Sequence, residues 1–434
     1  MNLSLATFPV TAVESSNTTT LENNVLILDF KALRDLILKD DVFADVSIEV
    51  VYPGEKTRII HVLDAVEPRV KVENGSRCFP GFLGAARTVG KGTTHRLSGV
   101  AVLGVGLGID VPSEGETGVL TFNEGFIDMS GPAQRYCACS DTINICLCFK
   151  VREACSYVEF DASARLATLK AGEYLAQSTV GLEPLQKTVY ELTPVDPDLP
   201  RIAYINQIQS QGFLCRTFLY GAPMDAPFTP TLLHPNELLD GALVSGNYRN
   251  FFKACTYLQQ NNHIVRELYR RHGKDLNFVG QVIGRGHFDD SAMKERQGQY
   301  AAKLASLQKA QAVVLTMEGS GNAFIDYMLT VRALEASGIA AVPIVHEFGG
   351  VNGEDQPLVF VVPEAVSIVS GGGVDRVFEI PAMERVVGGE IVKFAEGPCA
   401  FKPIEARSSF VAGPTYFYCG YWQMQINGLR ALDY

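Results

Sequence analysis

The chain has 434 residues, of which 47% are hydrophobic and 20% charged, and its formal net charge is −11. This composition is that of an ordinary globular protein, and the length favours two or three domains over one. Because the chain is acidic and has no long run of Lys or Arg, nucleic acid and anionic membrane surfaces are disfavoured as main partners, and a small substrate or a protein partner is expected.

The first part of the chain carries mainly strand signals. Short β-branched runs bounded by turn residues occur at Asn24–Phe30, Asp45–Tyr52 and Gly99–Val105. The clearest linker is Asp196–Pro200, because Pro and Asp favour turns and Pro cannot continue a hydrogen-bonded strand or helix. We therefore predict a β-rich N-terminal domain over residues 1–195.

Two cysteine pairs, Cys137 with Cys139 and Cys146 with Cys148, flank a polar turn in this domain. Alternation along two strands would place all four sulfur atoms on one face of a hairpin. The C-x-C spacing is not that of structural zinc sites, so we expect a half-buried strand pair and no metal. With only ten cysteines in the chain, a disulfide scaffold is not expected and the thiols should be reduced.

After Asp275 the pattern changes to alternating strands and helices. Strands are predicted at 277–284, 312–316 and 340–345, with helices at 291–308 and 324–337. Two successive strand–helix–strand units imply a parallel sheet. The predicted fold class is α/β, in which the β-rich N-terminal domain is followed by a connecting segment at 196–274, a doubly wound, Rossmann-like or flavodoxin-like parallel-sheet domain at 275–388 and a C-terminal extension at 389–434.

In such a sheet, ligands bind beyond the carboxyl ends of the strands. Those ends are followed by the loops Gly284–His287, Met317–Asn322 and His346–Gly350. Glu318 at one strand end can pair with a cationic amine or act as a general base. Two glycines after it would let the backbone approach a ligand, although a tight strand-to-helix turn explains them equally well.

The sequence lacks the familiar motifs of hydrolytic and nucleotide-binding enzymes. It has no H-x-x-x-H pair for zinc, no G-x-S-x-G turn for acyl transfer and no phosphate-binding G-x-x-x-x-G-K-S/T loop. No redox centre is identifiable in the chain alone.

The centre of the chain contains the blocks His234–Asn247, Thr256–Asn262 and Glu267–Phe278. Further blocks are Phe79–Gly84, Thr88–Val102, Lys294–Arg296, Glu318–Asn322 and Pro381–Gly388. In this order they resemble the alpha/beta precursor of component B of the glycine, sarcosine and betaine reductases. The resemblance covers about residues 24–388, and none is found for 389–434.

The resemblance implies a proprotein that cleaves itself before a cysteine and leaves a pyruvoyl group. That group forms a Schiff base with an amino-acid amine, and a selenoprotein partner breaks the C–N bond reductively. In the family the cysteine follows Ser-Gly-Asn, but here Tyr248 follows Ser245, Gly246 and Asn247. Self-cleavage needs a β-heteroatom that attacks the preceding carbonyl, and the tyrosine oxygen is too far along a rigid ring. We expect no pyruvoyl cofactor unless Cys255 is a displaced precursor cysteine, and a packed thiol is its commoner role.

Within the resemblance, the candidate catalytic residues are Tyr248, Cys255 and Glu318. The candidate substrate-binding residues are Asn247, Phe251, Phe252, Tyr257, Asn322 and Glu347. Aromatic side chains of this set would hold a cationic or quaternary ammonium group through cation–π contacts of about 0.5–2 kcal/mol each. An aromatic core cluster is an equally good explanation.

The function expected from the resemblance is that of a subunit in a glycine/sarcosine/betaine-reductase-like complex. It would present a small amine or amino-acid-derived substrate to a component B selenoprotein-like or cysteine-containing partner subunit. The alternatives are a catalytically silent scaffold or regulatory subunit, or a reductase-like subunit of specialised metabolism. The sequence has no signal-peptide pattern at its start and no apolar stretch of about 18 residues, so we expect a cytoplasmic, oligomeric protein without membrane contact.

Overall fold

Among the residues that the computed structural model describes, which are 1–107, 125–210, 216–246, 252–397 and 400–422, strands outnumber helices. The helices are α1 (Phe30–Ile37), α2 (Tyr157–Ala176), α3 (Pro235–Leu239), α4 (Thr256–Gln260), α5 (His263–Arg271), α6 (Ser291–Leu307) and α7 (Asn322–Ala336). The strands are β1 (Asn2–Pro9), β2 (Ala12–Ser15), β3 (Thr20–Glu22), β4 (Val25–Leu28), β5 (Phe43–Val51), β6 (Thr57–Ile59), β7 (Val62–Val66), β8 (Arg69–Glu73), β9 (Gly92–Ser98), β10 (Val100–Leu107), β11 (Ile127–Asp128), β12 (Ile143–Val151), β13 (Gln186–Glu191), β14 (Arg201–Gln209), β15 (Thr217–Leu219), β16 (Ala222–Pro223), β17 (Thr231–Leu233), β18 (Leu243–Ser245), β19 (Asn277–Gly286), β20 (Ala312–Met317), β21 (Ala340–Glu347), β22 (Val369–Gly373), β23 (Phe378–Ile380), β24 (Arg385–Val387), β25 (Ile391–Gly397), β26 (Ala400–Glu405) and β27 (Phe410–Ala412).

Two four-stranded sheets form much of the first part of the chain. One has the order β13-β1-β9-β8 and the other the order β5-β12-β10-β7. Both sheets and helix α2 contribute to one apolar core, in which Leu97, Val102 and Phe160 are buried. Helix α2 starts at a capping box, since the Ser156 hydroxyl accepts from the Glu159 backbone N–H and the Glu159 carboxylate accepts from that of Ser156.

A six-stranded sheet in the second part has the order β17-β19-β14-β20-β21-β22. Its strands are parallel except for β17, which runs antiparallel to β19. Helices α6 and α7 connect β19 to β20 and β20 to β21, and they pack on the sheet through Ala302, Phe324 and neighbouring apolar residues. The predicted strands and helices of this part are therefore confirmed, and the fold is mixed α/β.

The central strand of this sheet, β14, comes from the predicted connecting segment 196–274. It lies between β19 and β20 and pairs in parallel with both. The finer prediction, a Rossmann-like or flavodoxin-like domain after a separate β-rich domain, stays a prediction.

The last part of the described chain packs against elements from the first part. Strand β24 pairs in parallel with β6, and β27 pairs with β23. Phe126 contacts the ring of Phe417 at 5.4 Å between centroids, and Trp422 is buried in the same core. Residues of the predicted C-terminal extension thus complete a core that also contains Val51 of β5 and Ile59 of β6.

Arg58 on β6 lies at the centre of this junction and is fully buried. Its Nε and Nη2 atoms donate to the two carboxylate oxygens of Asp128 at 2.6 and 2.9 Å. Its remaining donors reach the backbone oxygens of Pro381 and Ala406 at 3.1 and 2.6 Å. One guanidinium group therefore joins three separate parts of the chain.

The predicted hairpin of cysteine pairs is wrong. Cys146 and Cys148 lie on β12, but Cys137 and Cys139 lie in a turn that follows a 3-10 helix at Gln134–Tyr136. Strand β12 pairs with β5 and β10 instead, and the φ of 61° at Cys139 is incompatible with a strand.

No helix in the described ranges is both long and apolar enough to cross a membrane.

Candidate functional site

Glu318 is the first residue after β20, at the carboxyl end of that strand, and it is buried. Its carboxylate accepts hydrogen bonds from the backbone N–H groups of Gln209 (3.0 Å) and Ala254 (3.2 Å) and from Nε2 of Gln259 (2.8 Å). Burial raises the pKa of Glu318 to about 7, against the opposing effects of the nearby Lys253 ammonium and these hydrogen bonds. A carboxyl group with this pKa can exchange a proton near neutral pH.

Lys253 is buried beside Glu318, with only 1% of the residue exposed. Its ammonium group donates to the backbone oxygen of Gln209 at 3.0 Å. Next to it, the backbone N–H of Gly319 donates to the oxygen of Phe252 at 2.8 Å. The chain just before α4 is therefore held against the carboxyl ends of β14 and β20.

Helix α4 separates this buried carboxylate from a large cavity. The side chain of Gln259 bonds Glu318 on one side, whereas Tyr257 and Leu258 line the cavity on the other. The backbone N–H of Thr256 donates to Asp64 at 2.9 Å, and its hydroxyl donates to the same carboxylate at 2.5 Å. These bonds fix the start of the helix.

The cavity has a volume of about 810 Å³, within the range typical of small-molecule sites. Arg96 of β9, Arg266 of α5 and the turn at Cys139 contribute to its wall. His263 also lines the cavity, and partial desolvation of its ring lowers its pKa. The charged lining residues are Glu67, Asp141, Arg96, Arg135 and Arg266.

Two arginine side chains contact the Glu67 carboxylate in this wall. Nη1 of Arg96 lies 3.4 Å from Glu67 and 3.1 Å from Oδ1 of Asn261, and Nη1 of Arg266 lies 3.4 Å from the same Oδ1. The fully buried Arg69 contacts Glu67 at 2.5 Å. Burial alone would raise the pKa of Glu67, but the charges of Arg69 and Arg96 outweigh it and lower that pKa. The wall therefore carries excess positive charge, which favours an anionic group such as a carboxylate.

Cys255, the residue before α4, meets two other thiols in the interior. Cys139 and Cys419 both donate hydrogen bonds to the Cys255 sulfur, and all three residues are buried and free of disulfides. Burial opposes ionisation, but these bonds and one from the Leu258 N–H outweigh it, so the pKa of Cys255 lies well below its usual value. The pKa values of its two neighbours are raised, that of Cys139 chiefly by its bond to Cys255 and that of Cys419 chiefly by burial. The arrangement favours the anionic form of Cys255 over that of either neighbour.

The structure brings four of the predicted site residues together around α4. Cys255 and Tyr257 lie at its start, and Phe252 precedes it. The Glu318 carboxylate accepts hydrogen bonds from the backbone just before the helix and from the Gln259 side chain within it. Tyr257 lines the cavity, but Glu318 is not among the lining residues. The expected contact of Glu318 with a ligand in an aromatic pocket is therefore not seen at this cavity.

Asn322 and Glu347 lie elsewhere. Asn322 begins α7, and its Nδ2 donates to the backbone oxygen of Phe288 at 3.0 Å. Glu347 ends β21, and its backbone oxygen accepts from the Val374 N–H at 2.8 Å. Neither residue lines the cavity.

The remaining predicted site residues, Asn247, Tyr248 and Phe251, lie outside the described residues. In the described part of the chain, no three or more His, Cys, Asp or Glu side chains are grouped to hold a metal ion.

Several prominent residues of this region were missed by the sequence interpretation. They are Arg96, Cys139, Lys253, Arg266 and Cys419. Arg96 belongs to the block Thr88–Val102, one of the blocks that carry the family resemblance, and that membership was a usable signal. Cys419 carried no signal, because it lies in the stretch without a recognised resemblance.

Comparison with known proteins gives one consistent result. A family model described as "Glycine/sarcosine/betaine reductase component B subunits" matches residues 1–409. The sarcosine reductase complex component B subunit alpha of Peptoclostridium acidaminophilum is 37% identical over 396 residues, which is 89% of each chain. The glycine reductase complex component B subunits alpha and beta of Acetoanaerobium sticklandii are 34% identical over 399 residues, again 89% of each chain. The betaine reductase complex component B subunit alpha of P. acidaminophilum is 32% identical over 403 residues, 89% of this chain and 88% of the relative. No solved structure matches the chain.

Proposed function

Because the chain belongs to the family of glycine, sarcosine and betaine reductase component B subunits, we propose that it is the substrate-binding subunit of a reductase complex. It presents a small amine or amino-acid-derived substrate to a thiol- or selenol-bearing partner subunit for reductive C–N cleavage. The observation that carries this proposal is the 810 Å³ cavity beside α4. The predicted family resemblance is confirmed, and the match to residues 1–409 extends beyond the predicted range of 24–388.

The composition of the cavity wall supports a small zwitterionic ligand. Arg96 and Arg266 converge on Asn261 and offer guanidinium donors to a carboxylate. The ring of Tyr257 and the exposed carboxylate of Asp141 line the same cavity and suit an ammonium group. Relatives named for sarcosine and betaine make N-methylated amino acids the first ligands to test.

The residues at the family's cleavage position do not fit the formation of a pyruvoyl group. Tyr248 stands after Ser245, Gly246 and Asn247, and its oxygen cannot form the five-membered ring that self-cleavage requires. The sulfur of Cys255 lies in non-covalent contact with two other buried cysteines, Cys139 and Cys419. In this proposal the protein acts uncleaved and binds its substrate through non-covalent contacts.

Intact mass spectrometry tests the uncleaved state. We expect one species near 47.3 kDa that a carbonyl-trapping hydrazine leaves unmodified, because no residue in the expected position can generate a carbonyl. Two fragments with a hydrazine adduct on the downstream piece would overturn this part of the proposal, and the mass of that piece would test Cys255 as the precursor.

Calorimetric titration with sarcosine, betaine and trimethylamine tests the cavity. Arg266→Gln should weaken binding of the two amino acids by about tenfold or more, since a hydrogen bond to a charged group contributes about 1.5–3 kcal/mol. Trimethylamine has no carboxylate, so its affinity should be equal for the wild type and this variant. Arg270→Gln is the matched control, because Arg270 lies on the same helix in an exposed pair with Glu267.

Equal loss in both arginine variants, or no binding of any of the three amines to the wild type, would contradict the proposed substrate site. Turnover by the reconstituted complex then separates the alternatives. A complex that binds amines but converts none favours a catalytically silent scaffold or regulatory subunit. Conversion of a substrate without a C–N bond favours a role in specialised metabolism.

A further inference from the structure

Three cysteines from distant parts of the chain meet next to α4. Cys139, Cys255 and Cys419 are 3%, 2% and 1% exposed. A backbone hydrogen bond of 3.0 Å from the Ala138 N–H to the Tyr418 oxygen joins the two turns that carry the outer cysteines. All three belong to the same buried core, and Cys139 and Cys419 both interact with the Cys255 sulfur, so we call them the sulfur cluster.

The backbone at two of these cysteines is unusual. Cys139 has a φ of 61° and Cys419 a φ of 57°, in the left-handed region that side chains other than glycine rarely adopt. Such conformations cost about 1–3 kcal/mol each and are concentrated at functional sites.

One member of the sulfur cluster is reached from the cavity. Cys139 contributes to its wall, together with Arg96, Arg135 and Arg266. Cys255 is not a lining residue and lies behind Cys139. Of these two residues, Cys139 is therefore the one that an anionic sulfur compound in the cavity would meet.

We propose that Cys139 and Cys255 form a redox-active dithiol that reduces anionic low-molecular-weight disulfides in the cavity, with Cys419 as a positioning residue. This activity does not depend on the proposed binding of amines. It would give the chain a redox centre of its own, which the sequence interpretation did not find.

The exchange conserves protons and electrons. The Cys139 proton passes to the Cys255 thiolate, and the Cys139 thiolate so formed attacks one sulfur of the disulfide RS–SR, breaking that bond and releasing RS⁻. Cys255 gives its proton to the released RS⁻ and attacks the Cys139 sulfur, releasing the second RS⁻. The products are the Cys139–Cys255 disulfide, RSH and RS⁻, so the dithiol is oxidised by two electrons and RS–SR is reduced by two.

The test uses the full-length reduced protein, without oxygen, and oxidised glutathione as the probe. We expect two glutathione thiols released per chain. Non-reducing peptide mapping after alkylation should show Cys139 joined to Cys255. Persistence of both residues as free thiols in the wild type, or a cross-link of Cys255 to Cys419 in its place, would overturn the proposal.

Cysteine-to-serine variants assign the steps. Cys255→Ser should stop at a mixed disulfide on Cys139 with one glutathione released, and Cys139→Ser should release none. Cys137→Ser is the matched control, because Cys137 lines the same cavity but donates to the Phe126 oxygen at 3.3 Å. Release by Cys139→Ser at the wild-type level would refute the role of that residue. If a variant does not fold, the wild-type peptide map alone tests whether Cys139 and Cys255 become joined.

The charge of the probe tests the choice of ligand. Cystamine is a cationic disulfide and should react about tenfold more slowly than oxidised glutathione at low salt, because the arginines of the cavity repel it. Equal rates for the two probes would overturn the preference for anions.

Discussion

Burial of Glu318 should make the stability of the protein depend on pH. Because the folded state raises its pKa from 4.5 to about 7, the folded protein holds a proton on Glu318 that the unfolded chain has released. The stabilisation is present below pH 4.5 and is lost as the pH rises through about 7. We expect the wild type to lose about 3 kcal/mol over this window relative to Glu318→Gln, since one pKa unit corresponds to about 1.4 kcal/mol.

Urea unfolding at several pH values measures this difference. Glu384→Gln, at a side chain that is 75% exposed, is the control and should follow the wild type at every pH. A difference between the wild type and Glu318→Gln that stays constant from pH 4.5 to 8 would show that Glu318 is not titrating in this range.

At the scale of residues, the sequence predicted part of the site. Glu318 was identified because it stands at a strand end, and that position depends only on local pattern. The partners of Cys255 could not be predicted, since Cys139 and Cys419 reach it only through tertiary packing of distant turns. Arg266 has no comparable signal in the sequence, because a basic residue on a short helix usually points to solvent.

At the scale of elements, β6 and β11 are joined to the last part of the chain through a buried ion pair. Arg58→Met would leave Asp128 buried without its cation, and loss of one partner of such a pair costs about 3–5 kcal/mol. We expect chemical denaturation to show a loss of this size. Arg58→Met combined with Asp128→Leu should recover much of it, because no lone charge remains.

The exposed pair of Lys56 and Glu384 provides the comparison, since its side chains are 66% and 75% exposed. Lys56→Met should change the free energy of unfolding by about 1 kcal/mol or less. Similar losses in Arg58→Met and Lys56→Met would refute the role assigned to Arg58.

Some strands could be predicted from the hydrophobic pattern of the sequence alone, and others could not. Strands β19, β20 and β21 were predicted because each is a short apolar run between turn signals and helices. Strand β14 was missed although it is central, because it buries polar side chains. Asn206, for example, donates to Gln259 at 3.2 Å and accepts from Thr316 at 3.2 Å. A pattern of hydrophobicity cannot distinguish such a strand from an exposed one.

At the scale of the whole molecule, family membership was predictable over most of the chain, because the matching blocks are long and keep their order. The packing of the last described residues against strands from the first part of the chain was not predictable. Strand β24 pairs with β6 across most of the sequence, and neither strand exceeds three residues. Such short segments carry too little pattern for a pairing to be inferred from the sequence.

The pairing of β6 with β24 has a consequence for synthesis of the protein. A ribosome that adds 5–20 residues per second needs roughly 20–60 s between these two strands. During that time the nascent chain exposes the apolar surface that Phe417 and Trp422 later cover. The sulfur cluster is likewise incomplete until Cys419 has emerged. Translation that stops before these residues would therefore leave an aggregation-prone product for chaperones and proteases, and neither the core around Arg58 nor the cluster can mature until Cys419 and Trp422 have been synthesised.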